Sequence, residues 1–225
     1  MKFASKEQLD QLFDAFYNGS ILALSQLLTI IDNYSEIRSE IFSRLYLEKE
    51  PPLIIGITGS PGVGKSSFIN EAIFHLKKYF ASIAVLAFDP SSIFTGGSFL
   101  GDRVRMRDHV LDDSIFIRSI SAKGQISGMS NCVFDLINAL WAFGFKLIII
   151  ETVGAGQTEI DIKKVADIVT LLISPTEGDE IQLLKAGILE IPDIIVIHKS
   201  DLPTSQICRD RIDRDRKSIR LNSSP

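Results

Sequence analysis

Gly59-Ser60-Pro61-Gly62-Val63-Gly64-Lys65-Ser66 follows the apolar run Leu53-Ile54-Ile55-Gly56-Ile57 and precedes Ser67-Phe68-Ile69-Asn70-Glu71-Ala72-Ile73. The first run reads as a strand and the last as a helix, which completes the order strand, G-x-x-x-x-G-K-S, helix of a P-loop. Glycines let the backbone turn so that successive N–H groups face inward and cradle phosphate oxygens. In such a loop Lys65 reaches the β- and γ-phosphates and the Ser66 hydroxyl ligates Mg²⁺. The positive end of the following helix adds to the same field. Gly59 to Ser66, with Ser67 behind them, are therefore the candidate phosphate-binding residues.

Outward from this stretch, strand and helix alternate. Strands are expected at 53–58, 83–88, 114–120, 146–151, 168–173 and 193–198, and helices at 65–80, 102–111, 129–142, 159–166 and 179–189. The strand runs are short, continuous and rich in Ile and Val, as strands covered on both faces are. Such alternation means βαβ units and an α/β fold with a doubly wound, mainly parallel sheet of the P-loop NTPase type. Ligands of these sheets sit at the carboxyl ends of the strands. Ahead of them, residues 1–50 read as a helical arm. Leu9, Leu12, Phe13 and Phe16 recur at helical spacing, as do Leu24, Leu27, Leu28 and Ile31. Gly19 can end the first helix and Ser20 cap the second. Asn33 or Ser35 opens a third, carrying Ile37, Ile41 and Leu45, and Pro51-Pro52 stops it.

Bulk properties narrow the function classes. The 225 residues leave room for one substantial domain plus an appendage, and 45% hydrophobic with 23% charged content fits a globular α/β core. A formal net charge of −4 gives no sign of a nucleic-acid-binding face. Cys132 and Cys208 are too few and too distant for a disulfide framework or a zinc site, so a reducing, cytoplasmic compartment is the default. Cys132 reads as a small packed residue and Cys208 as incidental. The most hydrophobic early stretch, Ile21 to Ile31, is interrupted by Ser25 and Gln26 and is shorter than the roughly 20 residues of a membrane span. No secretory signal is apparent at the N-terminus.

Each strand end carries a candidate group. The second strand ends in Asp89-Pro90-Ser91-Ser92, and its loop runs through Gly96-Gly97 to Gly101-Asp102-Arg103. Asp89 and Asp102 are either Mg²⁺-holding carboxylates or, respectively, a turn-forming Asp-Pro and a helix N-cap. Arg103 and Arg107 share a helix face that presents charge either to a phosphate or to solvent. The run Lys146-Leu147-Ile148-Ile149-Ile150 ends in Glu151-Thr152-Val153-Gly154. A carboxylate there is the Walker-B arrangement, and Gly154 can offer its N–H to the γ-phosphate. Glu151 is long enough to organise a metal-bound or attacking water, and Gln157 either orients water or is an exposed loop amide. The last strand ends in His198-Lys199-Ser200-Asp201, where GTPases carry Asn-Lys-x-Asp for base recognition. Asp201 can accept from the guanine N1–H and 2-amino groups while the Lys199 stem packs along the base. His198 supplies only one donor and one acceptor when neutral, so it cannot brace the loop as an amide does.

Together these residues resemble the MeaB/ArgK family of P-loop GTPases, the chaperones of cobalamin-dependent methylmalonyl-CoA mutase, also labelled LAO/AO transport-system ATPases or kinases. The matching stretches are GITGSPGVGKSSFI (56–69), FDPSSIFTGGSFLGDRVRM (88–106), IIIETVGAGQTEIDI (148–162) and SPTEGDEIQLLKAGILEIPDIIVIHKSD (174–201). The resemblance implies GTP/GDP and Mg²⁺ as cofactors. Lys65, Asp102, Glu151 and Gln157 would be catalytic; Ser66, Asp89, Asp102 and Glu151 would surround the metal. Gly154, His198, Lys199 and Asp201 would join the loop in holding nucleotide. It further implies a Mg-dependent GTPase chaperone acting on a mutase, and a homodimer. A kinase of a transport component and a nucleotide-binding scaffold without hydrolysis are the competing readings.

The GTPase domain is expected over 51–207. After it, Arg209-Asp210-Arg211-Ile212-Asp213-Arg214-Asp215-Arg216-Lys217 departs from the family, which continues with a further strand, a second base-contacting loop and dimer-building helices. Residues 208–225 are nearly devoid of core-forming periodicity and read as a disordered tail, foreign or out of frame, on a truncated reading frame.

Overall fold

The computed structural model describes residues 6–47, 50–89, 112–121, 132–152, 162–175 and 192–222; of Asp89, Ser121 and residues 215–222 it describes the backbone only. Its elements are helices α1 (Lys6–Tyr17), α2 (Ile21–Asn33) and α3 (Arg38–Ser43), strand β1 (Leu53–Gly59), helix α4 (Lys65–Leu76), strands β2 (Ile83–Asp89) and β3 (Ile115–Ser121), helix α5 (Val133–Phe143), strands β4 (Leu147–Glu151), β5 (Ile168–Ile173) and β6 (Ile194–Ile197), and helix α6 (Ser205–Asn222). Each expected strand is present within a residue or two of its expected ends. Of the expected helices, 102–111 and 179–189 lie outside the described residues, as do residues 159–161 of 159–166.

The six strands form one sheet in the order β3-β2-β4-β1-β5-β6, and every pairing is parallel. β1 therefore lies between β4 and β5, where the chain switches from one side of the sheet to the other. In register, Ile57 lies beside Glu151 and Gly59 beside Leu172, so the P-loop leaves the sheet at the edge where β4 ends.

Alternation along the strands divides the core in two. Leu86, Ile148 and Ile150 face a cluster with Leu24, Leu27, Leu28 and Ile31 of α2 and Leu136 and Leu140 of α5. Val85, Leu147 and Ile149 face Ile69 and Ile73 of α4 on the other side. The N-terminal helices thus share one continuous core with the sheet. Ser20 caps α2 by accepting from the Ala23 N–H at 3.2 Å, and Gly19 turns the chain at φ +83°. Arg118 of β3 reaches into the same layer: its guanidinium donates to the Ser25 carbonyl at 3.0 Å and to the Thr29 hydroxyl at 2.9 Å.

Two aspartates fasten the entry ends of the strands. Asp167 accepts from the Ile54 N–H at 2.8 Å and returns its own N–H to the Ile54 carbonyl at 2.9 Å. Asp193 does the same to Val169, at 2.8 and 2.9 Å. Each carboxylate satisfies an N–H that the ladder leaves unpaired at its start. The Val169 N–H, and next the Lys163 ammonium, hold the Asp193 carboxyl below the usual range.

The C-terminal expectation is corrected over its described part. Ser205–Asn222 is helical, and Cys208 and Ile212, four residues apart on one face, are buried against Leu171 and Ile173 of β5 beside Ile195 and Ile197 of β6. Cys208 is accordingly a packed residue and not an incidental one. Two apolar positions at the right spacing suffice to anchor a helix whose other faces are charged, and a composition reading averages them away. Cys132 is fully buried, as expected. Among the described residues no helix is long and apolar enough to cross a membrane.

Asp112, just ahead of β3, accepts from the Lys77 ammonium beyond α4 and from the Ser114 N–H and hydroxyl. Lys77 first, then Ser114, hold its carboxyl at about 2 against an ordinary 3.8. A carboxyl lowered by folding stabilises the fold above its unfolded pKa, and the contribution is lost as pH falls through the folded one. Asp112→Asn is expected to lower the urea midpoint near neutral pH, with the gap to the wild type closing as pH falls from about 4 to about 2.

Candidate functional site

The site begins where β1 ends. Gly59, at φ +144°, passes so close to β5 that a methyl group on it would lie 2.4 Å from the Leu172 carbonyl oxygen. The chain then turns, the Val63 N–H donating to the Ser60 carbonyl at 3.2 Å, while Val63 itself is buried in the α4 side of the core. Gly64 stands at the N-cap of α4 in the left-handed region, φ +106°. Ser60 is partly covered, and Pro61, Gly62 and Ser67 face solvent.

Lys65 and Ser66 begin α4 and are both buried, at 7% and 9% exposure. The Lys65 ammonium folds back across the loop and donates to the carbonyls of Gly59 at 2.8 Å and Ser60 at 3.1 Å. These two bonds make the loop and its lysine one braced unit. The Ser66 hydroxyl donates to Glu151 Oε1 at 2.9 Å, joining the start of α4 to the end of β4. Glu151 is 8% exposed despite its charge. Below it the Thr152 hydroxyl meets that of Thr58 at 3.0 Å, and the Thr152 N–H extends the ladder to the Ile57 carbonyl at 3.0 Å.

The base-loop candidates approach from the far side. The His198 N–H donates to the Ile173 carbonyl at 2.8 Å, and Lys199 follows at φ +58°, a left-handed turn away from β6. Lys199 and Asp201 are exposed. Thus Gly59, Gly64, Lys65, Ser66, Glu151 and His198 gather at one edge of the sheet. Asp102, Gly154 and Gln157 lie outside the described residues, as does the side chain of Asp89. Among the described residues no group of three or more His, Cys, Asp or Glu side chains is placed to hold a metal. The buried hydroxyl–carboxylate pair Ser66–Glu151 is a hard-oxygen donor set of the kind Mg²⁺ takes. Sequence spacing did not reveal the Thr58–Thr152 pair, because its members come together only through the β1–β4 register.

The sequence model of the family described as methylmalonyl Co-A mutase-associated GTPase MeaB matches residues 24–220. The chain belongs to the MeaB family. Among curated proteins it is 42% identical over 193 residues to a putative GTPase of Pyrococcus abyssi, covering 86% of this chain and 60% of that one. It is 36% identical over 188 residues to the GTPase ArgK of Escherichia coli, covering 81% of this chain and 56% of ArgK. The chain thus spans about three fifths of the length of the curated relatives it matches. A solved LAO/AO transport system kinase shares the fold at a TM-score of 0.67 and 24% identity, over 93% of this chain and 63% of that one. The P-loop NTPase fold of this MeaB family member is the one its alternating strands and helices predict.

A side chain at position 64 meets two obstacles, a left-handed backbone and an occupied space. Gly64→Ala would place its methyl 2.6 Å from His198 Nε2. The variant is expected to lose about 1–3 kcal/mol of stability, read as a lower urea midpoint at unchanged slope.

Proposed function

We propose that this chain binds GTP and GDP and hydrolyses the γ-phosphate anhydride with the help of Mg²⁺. The observation that carries the proposal is the Ser66–Glu151 bond beside the inward-folded Lys65, at the carboxyl edge of a parallel sheet. Phosphate oxygens entering the loop would compete with the Gly59 and Ser60 carbonyls for the Lys65 ammonium. They would also receive N–H groups from Gly62 to Ser67 at the positive end of α4. Ser66 and Glu151, joined by Asp89 and Asp102 as the family resemblance implies, would hold the metal ion. Bound there, Mg²⁺ supplies charge neutralisation to the β- and γ-oxygens.

In the reaction a water oxygen attacks the γ-phosphorus in line as the β–γ anhydride bond breaks, giving nucleoside diphosphate and inorganic phosphate. Lys65 offsets the charge that develops on the phosphoryl oxygens. Glu151 and Gln157 are the groups assigned to order the attacking water, and Gly154 to sense the γ-phosphate. At the other end of the nucleotide, Asp201 accepts from the guanine N1–H and 2-amino group and Lys199 covers the base. Family membership supports a role as chaperone of a cobalamin-dependent mutase, with the nucleotide state signalled to that partner. Dimerisation belongs to the same proposal.

GTP labelled at the γ-phosphate tests the reading. Release of inorganic phosphate is expected; transfer of label to protein would indicate a kinase, and no turnover a scaffold. Lys65→Ala is expected to lower the turnover rate by about 10²-fold or more. Asp201→Asn is expected to weaken GDP binding and erase discrimination against ADP in competition titrations. Equal ADP and GDP affinities in the unaltered protein would defeat the guanine assignment.

A further inference from the structure

One buried polar pair takes no part in holding nucleotide: Thr58 and Thr152, each 1% exposed, whose hydroxyl oxygens lie 3.0 Å apart. Strand alternation puts both on the α2 and α5 side of the sheet, whereas Glu151 points to the α4 side and meets Ser66 there. Their neighbours on that face are Gly56 in β1 and the fully buried Ile148 and Ile150 in β4. Two valines of the same shape would suit such a face, since replacing both members of a bonded polar pair by apolar groups is close to neutral or stabilising. Packing therefore does not account for hydroxyls at these positions.

Geometry does account for them. Glu151 is the last residue of β4 with a strand partner on either side, Ile57 of β1 and Ala87 of β2. Past it two bonds tie the chain to β1: the Thr152 N–H donates to the Ile57 carbonyl at 3.0 Å, and the Thr152 hydroxyl donates to the Thr58 oxygen. The Ile57 carbonyl is 3.5 Å from the same hydroxyl, at the limit of a bond, so the shorter contact takes the proton. A single N–H bond leaves a peptide free to tilt about it, and a second bond from the same residue to the next position of β1 removes that freedom. The peptide so held joins Thr152 to Glu151, whose carboxylate accepts from the Ser66 hydroxyl at 2.9 Å.

We propose that Thr58 and Thr152 are positioning residues that aim the Glu151 carboxylate at a divalent cation held beside Ser66. They touch neither nucleotide nor ion and act through the backbone at the end of β4. This inference rests on the Mg²⁺ and nucleotide reading above.

Calorimetric titration of GDP into the full chain, once with Mg²⁺ and once with EDTA, gives the factor by which the ion raises nucleotide affinity. The double variant Thr58→Val/Thr152→Val is expected to cut that factor by about 10-fold, the low end for groups that orient a metal ligand. Its GDP affinity in EDTA is expected to stay within about 2-fold and its urea midpoint close to that of the unaltered protein, because both hydroxyls leave together. Thr58→Ser/Thr152→Ser keeps the hydroxyl bond and is expected to keep the factor within about 3-fold. An unchanged factor in the valine variant overturns the inference, as does a loss that the EDTA titration shares or that the serines do not restore. Should the valine variant not fold, Thr58→Ala decides by the same comparison, since it removes the hydroxyl bond and leaves the Thr152 N–H bonded. A factor reduced by about 3-fold or more with EDTA affinity unmoved supports the positioning role, and a shared or absent loss overturns it. Failure of the metal reading shows separately, as a GDP affinity of the unaltered protein that Mg²⁺ does not raise, and it takes the inference with it.

Discussion

The parallel register of β1 with β4 is the constraint on which the site depends. Pairing Ile57 with Glu151 sets the end of β4 beside the turn that leaves β1, and only then can a hydroxyl at the start of α4 meet a carboxylate 85 positions away in sequence. A shift of one residue would turn Glu151 to the opposite face of the sheet. The apolar runs exclude that shift, because Leu147 and Ile149 are committed to the α4 side and Ile148 and Ile150 to the α2 and α5 side. Core packing thus fixes the geometry of the polar site.

Three charged or polar groups are buried together here, which is costly unless each is bonded. Lys65 is stabilised by the carbonyls of Gly59 and Ser60, and Glu151 by Ser66. These bonds hold the ammonium and the carboxylate in place at the edge of the sheet. The Thr58–Thr152 pair beneath them satisfies two further buried hydroxyls. The aspartates at the opposite end of the sheet have a purely structural task, closing the ladder where β1 and β5 begin.

The helical arm and α6 show how composition understates packing. The arm reads as an appendage, yet its apolar stripe is part of the larger core, and Arg118 ties it to β3. The tail reads as a disordered run of charge, yet Cys208 and Ile212 hold its helix on β5 and β6. Helical periodicity was strong in the first and present in only two residues in the second. Burial depends on where those residues land, which composition does not encode.

Much of the fold was legible because its signals are local. Short Ile- and Val-rich runs can be little other than buried parallel strands, and Gly59 to Ser66 carries its own turn chemistry and helix start. The same locality made Lys65, Ser66, Glu151 and Asp201 identifiable as candidates, each by its place at a strand end. What the chain order does not contain is the sheet order β3-β2-β4-β1-β5-β6, and with it every contact between strand ends. The meeting of Gly64 with His198 is the clearest case. Each residue is interpretable alone, as a loop glycine and as an odd member of a base loop. Only the path of β6 past β5, and the left-handed turn at Lys199, bring the ring into the space the glycine leaves open.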